Sequence, residues 1–243
     1  MVNYIKAENI KCKRTFAKKL VIIAPLCMVL LAVRTGIYFT VNGYNWWYTM
    51  ILPGFITLLT ALINQNEEKK LAYRAVFALP VSLKKTWYAK TALICIYIII
   101  ASLIHMCGIL LGMFTIRTGM SLPVYKIITA TLLLIVTSLW QVPLCLFLSK
   151  KFGLLTTVLL NIGGGIVLGI FAADKPFWWA CPYSWATRIM CPVLGILPNG
   201  LFVKAGDPLL NSGVIPIGAA LAAALFILLL TVTANWFSKL EVK

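Results

Sequence analysis

Charge is scarce in this 243-residue chain, and negative charge is scarcer still. Charged residues make up 12% of it and only 6 are Asp or Glu, whereas a soluble domain carries about 25% charged residues. The six acids, Glu8, Glu67, Glu68, Asp174, Asp207 and Glu241, all fall outside the long apolar runs. A carrier driven by a proton or sodium gradient places ionisable groups inside its spans, and no such machinery is visible here. His105 is the only histidine. Without acidic neighbours in its run it cannot assemble a metal site, and no G-x-S-x-G surrounds any serine it might activate. Glu67 and Glu68 invite comparison with membrane proteases that pair two glutamates with a following arginine. Arg74 comes too late after Glu68, and the further intramembrane histidines are missing. No G-x-x-x-x-G-K-[ST] occurs: the run Gly163, Gly164, Gly165 is followed by no lysine, so it reads as small-residue helix packing instead of a phosphate cradle. None of the seven cysteines forms a CxxC pair. Only Cys181 and Cys191 share a connecting segment where a disulfide is conceivable, with two free thiols the simpler reading. Enzyme chemistry, and ATP binding by the chain itself, are therefore not expected, and neither is a metal or other cofactor.

What is abundant is apolar surface. Hydrophobic residues make up 61% of the chain, and the mean hydropathy is +0.95. One soluble core of this size cannot hide so much, whereas lipid can. Apolar segments follow at about 20–40, 46–63, 91–114, 127–148, 154–171 and 214–237, each long enough to cross a hydrocarbon core of ~30 Å. The expectation is an all-α integral membrane protein with six transmembrane helices, residues 20–243. Ahead of it, residues 1–19 are read as an amphipathic helix on the membrane surface, with Ile5, Cys12 and Phe16 on one face and Leu20 beside it. Trp46, Trp47 and Tyr48 are read as interface anchors opening the second span, and Trp236 and Phe237 as anchors closing the last. Arg34 is placed toward the outer end of the first. No cleavable signal peptide is expected, because the N-terminus is basic and no A-x-A-like site follows the first run.

The net charge of +16 is distributed in a way that orients the chain. With both termini inside, the cytoplasmic segments carry Lys6, Lys11, Lys13, Arg14, Lys18, Lys19, Lys69, Lys70, Arg74, Lys84, Lys85, Lys90, Lys150, Lys151, Lys239 and Lys243. The outer side carries only Arg34, Arg117, Lys126, Lys175, Arg188 and Lys204. That asymmetry follows the positive-inside rule. Because the basic residues are spread over every inner segment, it also speaks against a nucleic-acid surface.

Two connections are long. The inner one, 64–90, is expected to hold a short helix, a break at Pro80 and a turn into the third span. The outer one, 172–213, is rich in Trp, Pro and Gly, with apolar stretches too short to span, so half-inserted or interfacial helices are expected. Trp178, Trp179, Trp185 and Arg188 are candidate outer-surface or substrate contacts, with plain interfacial anchoring the alternative for the tryptophans. His105, Gln141 and Asn161 are intramembrane polar groups. They are read chiefly as interhelical hydrogen-bonding residues, His105 neutral.

The inner connection carries a resemblance. Its EEKKLAYR start, the LPVS step and the lysine at the next span resemble ABC-2 type exporter permeases. NWWYTMILPGFITLL, EEKKLAYRAVFALPVSLKKTWYAK and CPVLGILPNG resemble, more narrowly, the lantibiotic-immunity permeases of the MutE/EpiE group. The resemblance implies that 64–90 is a coupling loop, with Glu67, Glu68, Arg74, Leu79, Pro80, Val81, Ser82 and Lys90 at or near an ATPase. It implies two copies of an ATP-binding subunit that hold the ATP and Mg, a second related permease, and membrane lipids around them. The function implied is clearance of lantibiotic peptides from the cell membrane of a Gram-positive bacterium. A non-transporting immunity or sensor protein that binds the peptide is the alternative.

Overall fold

A computed structural model describes residues 1–71, 82–116 and 122–240, with the side chains of 67–71 excepted. Among the described residues the chain is helical, and its one β-type pairing is the bridge between Ile196 and Phe202. Helix α1 is Val2–Lys11 and α2 is Phe16–Val33. A turn at Gly36–Tyr38 leads into α3, Phe39–Trp46. A π-turn at Trp47–Ile51 then continues into α4, Leu52–Leu71. Helix α5 is Leu83–Thr115, α6 is Val124–Ser138 and α7 is Gln141–Gly163. A second π-turn at Gly164–Leu168 ends in Gly169–Phe171. Helix α8, Ser184–Leu194, and α9, Val214–Ser238, complete the chain. Among the described residues, five helical stretches are long and apolar enough to cross a membrane: Phe16–Val33, Gly36–Asn66, Leu83–Thr115, Val124–Phe171 and Val214–Ser238. This is a multi-pass membrane protein.

The stretch Val124–Phe171 has 48 residues, which as one straight helix would be about 72 Å long, far beyond a bilayer. It is not straight. Gly153 has φ 86° and ψ 178°, a conformation open essentially only to glycine, and the chain folds back there. The contact that proves the reversal is Asn161 Nδ2 to Gln141 Oε1 at 3.0 Å. Twenty residues apart on a continuous helix, these groups would be separated by about 30 Å. A second break, at Leu139 and Trp140, precedes Pro143, which has no N–H to donate to the Leu139 carbonyl. Val142 N takes that acceptor instead, at 3.0 Å.

Several expectations require correction. The first turn between spans falls at 34–38, not after residue 40, and the next stretch begins at Gly36. Trp47 and Tyr48 are therefore not interface anchors: both are buried, as is Tyr44. The face proposed for residues 1–19 does not form either. The first helix ends at Lys11 and Arg14, at φ 62°, turns the chain after it, so Phe16 starts a new helix and is exposed, while Cys12 and Leu20 are buried. The face that α1 turns inward includes Glu8, which is 3% exposed and ion-paired to Lys11 at 2.6 Å. Helix α1 is fastened to α5 by Tyr97 Oη donating to Asn9 Oδ1 at 2.6 Å. Phe237 is likewise buried, stacked on Trp87 at 4.5 Å, and Trp87 Nε1 donates to Thr233 Oγ1 at 3.0 Å.

The reversal gives a direct test. No atom lies within 4 Å of a Cβ built on Gly153 or on Gly163, so an alanine meets no clash at either. Only Gly153 lies in the glycine-only region. Gly153→Ala is expected to cost ~1–3 kcal/mol in detergent unfolding, while Gly163→Ala, within regular helix, is expected to be neutral or stabilising by up to ~1 kcal/mol.

Candidate functional site

Polar side chains inside the helical bundle gather along a seam between α4 and α7. On α4, Thr57, Thr60 and Asn64 recur at i, i+3 and i+7, which places them on one face. Facing them on α7 are Gln141, Ser149 and Asn161, and all six are buried. Asn161 Nδ2 lies 3.2 Å from Pro53 O, 3.0 Å from Thr57 Oγ1 and 3.0 Å from Gln141 Oε1, its two hydrogens shared among three acceptors. Its Oδ1 is buried and accepts no hydrogen bond from the described residues. Nearer the α4–α5 connection, Asn64 Nδ2 donates to Leu146 O at 2.9 Å and to Ser149 Oγ at 2.7 Å. Asn64 Oδ1 accepts from Lys90 Nζ at 3.5 Å. One amide thus touches α4, α5 and α7.

The seam is flanked by irregular backbone. Pro53 cannot supply its share of the helical ladder, and the chain loosens just before it into the π-turn, closed by Leu52 N to Trp47 O. The second π-turn packs beside the first: a Cβ on Gly165 would lie 3.5 Å from Pro53 and 3.7 Å from Thr49 O. A Cβ on Gly164 would come within 2.7 Å of the Tyr183 ring, so the glycine run does serve close packing. On the other side of α3, His105 is stacked on Trp47, with centroids 4.5 Å apart and planes 7° apart, and meets Tyr44 edge-on at 5.2 Å. His105 Nε2 lies 3.1 Å from Gly43 O. A carbonyl can only accept, so the ring carries its proton on Nε2. Tyr44 Oη in turn reaches Thr131 Oγ1 at 2.8 Å and Ile127 O at 3.2 Å.

The segment between α7 and α9 forms a cap. Arg188 and Trp185 were expected as surface contacts, but both are buried. Arg188 Nη1 donates to Leu209 O at 2.7 Å, its guanidinium lies 5.9 Å from the centre of the Trp178 ring, and Trp185 Nε1 donates to Trp179 O at 2.9 Å. These bonds hold the cap's own loops. Trp179 is 56% exposed and lies near Phe177 in sequence, itself exposed, while Trp178 is half-buried. Cys181 and Cys191 are both free thiols. Burial pushes the Cys191 thiol up to about 11, and its Sγ faces Thr187 O at 3.5 Å.

Of the residues assigned to the coupling loop, Arg74, Leu79, Pro80 and Val81 lie outside the described residues, and Glu67 and Glu68 belong to α4 with their side chains undescribed. Ser82 is the N-cap of α5, its Oγ accepting from Lys85 N at 3.4 Å. Lys90 is fully buried, with Nζ 5.9 Å from the Phe237 ring centre, so in this arrangement it does not offer its ammonium to a partner's surface. Asn64, Thr57, Ser149 and Tyr44 are not singled out by the sequence reading, and Trp47 enters it only as an interface anchor. The i, i+3, i+7 polar row on α4 was the available signal for the first two.

The seam predicts a measurable coupling. In a double-mutant cycle with Asn161→Leu and Gln141→Leu, unfolding in detergent should give an interaction energy of ~0.6–1.7 kcal/mol, the range for interhelical hydrogen bonds in membranes. His105→Phe keeps the ring stacking on Trp47 and loses only the bond to Gly43 O, so it should cost ~1 kcal/mol, and His105→Ala more.

The pattern of connected apolar helices, polar seam and acid-free spans agrees with the comparison to protein families. A family model described as ABC-2 family transporter protein matches residues 4–169, from α1 through the second π-turn. No curated protein and no solved structure matches. Proteins of this family are transmembrane components of transporters and generally work with ATP-binding subunits. With more than half of its length matched, the chain belongs to the ABC-2 family of transporter proteins.

Proposed function

We propose that this chain is the permease subunit of a heteromeric ABC transporter that expels lantibiotic-type antimicrobial peptides from the membrane and so confers immunity. In this reading the chain crosses the bilayer six times, with Gly153 turning the fourth span into the fifth, and α1 lies at the cytoplasmic surface beside both termini. Two ATP-binding subunits carry ATP and Mg, and a second related permease completes the path. The family supports the transporter role. The lysine asymmetry supports the orientation, and the segments NWWYTMILPGFITLL and CPVLGILPNG support the peptide class.

The observation that carries the mechanism is the position of Asn64. It lies in the half of α4 that leads into the segment connecting α4 to α5, about two turns before Leu71. From there it bonds to Leu146 O and Ser149 Oγ across the seam and receives Lys90 from α5. A push on the connecting segment by an ATPase moves the ends of α4 and α5. Through Asn64 that movement reaches α7 next to its reversal at Gly153. No acidic group in the described spans is needed, because the energy arrives from the partner. At the opposite end the exposed Trp179 and Phe177 reach headgroup depth, where an amphipathic peptide resides.

Two variants separate docking from transmission. Glu67→Ala with Arg74→Ala should weaken co-purification of the ATP-binding subunit and abolish peptide resistance. Asn64→Leu should leave co-purification intact and lower resistance by tenfold or more. Unchanged assembly and resistance in the first variant removes the coupling assignment. Resistance that persists when the partner ATPase is catalytically disabled favours peptide binding without transport.

A further inference from the structure

The junction of α1, α2 and α5 holds a cleft of about 310 Å³ lined by Lys6, Asn9, Lys18, Ile96, Tyr97 and Ile100, among others. Lys6 is on α1 and Lys18 is in the first turn of α2. They line one cleft because the chain turns at Arg14, whose φ of 62° folds α1 back toward the start of α2. The bond from Tyr97 Oη to Asn9 Oδ1, 2.6 Å, holds α1 against α5 and sets the cleft's floor. Neither lysine makes an ion pair with a described residue: the one carboxylate nearby in sequence, Glu8, is turned inward and paired with Lys11.

The cleft does not end there. At Ile100 it meets a second groove, about 400 Å³, lined by Leu26, Ile100, Leu103, Ile104, Cys107 and Leu111 among others. These α5 positions recur at three- and four-residue steps, so they form one continuous face. From Ile100 to Leu111 is eleven steps of about 1.5 Å, roughly 16 Å, which is the depth of one leaflet of a hydrocarbon core ~30 Å thick. The combined surface has two ammonium groups, a hydroxyl and an amide at one end and a wholly apolar trough of acyl-chain length below.

We propose that this surface is a binding site for a single anionic phospholipid, its phosphate held by Lys6 and Lys18 and one acyl chain lying along α5 from Ile100 to Leu111. Any membrane protein is coated with lipid. What distinguishes this site is charge complementarity at one end continuous with a leaflet-deep groove, which selects an anionic headgroup over a zwitterionic one of equal chain length. Two lysines beside an anionic headgroup are expected to give a preference of about tenfold or more. The inference stands on the membrane setting alone and does not depend on the peptide assigned above.

The test uses the full chain reconstituted in phosphatidylcholine vesicles that contain a small fraction of a lipid with a photoactivatable group in its acyl chain. The probe is phosphatidylglycerol in one arm and phosphatidylcholine in the other. The phosphatidylglycerol probe should label residues 100–111 about tenfold more than its zwitterionic counterpart. Lys6→Gln with Lys18→Gln should bring the two to parity, and Lys13→Gln with Lys19→Gln, exposed lysines outside the cleft, should leave the preference intact. Equal labelling by both probes in the unmodified chain overturns the proposal, and that comparison needs no variant to fold. An equal loss in both lysine pairs also overturns it, by showing general surface charge instead of a site.

Discussion

In hydrocarbon a side-chain amide has no water to turn to, so Asn161 must find its acceptors within the protein. It finds them on α4, at Pro53 O and Thr57 Oγ1, and on the near end of its own helical pair, at Gln141 Oε1. Those three bonds require α4, the incoming arm of α7 and the outgoing arm to meet at one point. The reversal at Gly153 is what allows it, since only a residue without Cβ turns the chain there at no steric cost. Everything beyond follows from where the outgoing arm then runs. The second π-turn lies beside the first, Gly164 admits the Tyr183 ring, and the cap carrying α8 is seated over the bundle.

The hydropathy of the chain marks the long apolar stretches in outline, because a bilayer imposes length and composition on whatever crosses it, but it puts the first turn after residue 40 instead of at 34–38. It was not enough to tell which aromatic residues face lipid. Trp47 and an interface tryptophan have the same hydropathy. What buries Trp47 is His105, fifty-eight positions later on α5, lying 4.5 Å above its ring, and a partner so distant leaves no local trace. The same holds for Arg188 and Trp185, which look like surface groups in a short polar-flanked helix until Leu209 O and Trp179 O close over them. The misplaced face of the first helix has a different cause. It needed Arg14 to be helical, and a non-glycine residue at positive φ is uncommon enough that no pattern announces it.

The polar groups of the seam also bear on how such a bundle could change shape. Interhelical hydrogen bonds between neutral side chains in membranes average about 0.6 kcal/mol. A helix pair joined by amides and hydroxyls therefore slides more easily than one pinned by a buried ion pair, whose rupture costs ~3–5 kcal/mol. Thr57 and Ser149 also bond back to their own helices, to Pro53 O and Leu146 O. When a cross-helix bond breaks, these hydroxyls keep a partner. Asn161 and Asn64 bond only across the seam among the described residues, so they pin it at two points, and Asn64, nearer the α4–α5 connection, is the end that a shift of that connection would move.

Helix α5 connects this movable end to the membrane surface. Lys90, bonded to Asn64, and Tyr97, bonded to Asn9, are seven residues apart on α5, about 10.5 Å along its axis and on nearly the same side. The bond that fastens α1 is thus two turns from the bond that links α5 to the seam. A load placed on α1 at the headgroup level would act on the same short stretch of α5 that, in the proposed mechanism, a push on the α4–α5 connection would move. With an anionic lipid seated between Lys6 and Lys18, shifting that stretch means drawing two lysines away from a phosphate, at a cost of about 1 kcal/mol each. That is comparable to the few hydrogen bonds of the seam, so the leaflet's charge and the connecting segment would compete on equal terms for the position of α5.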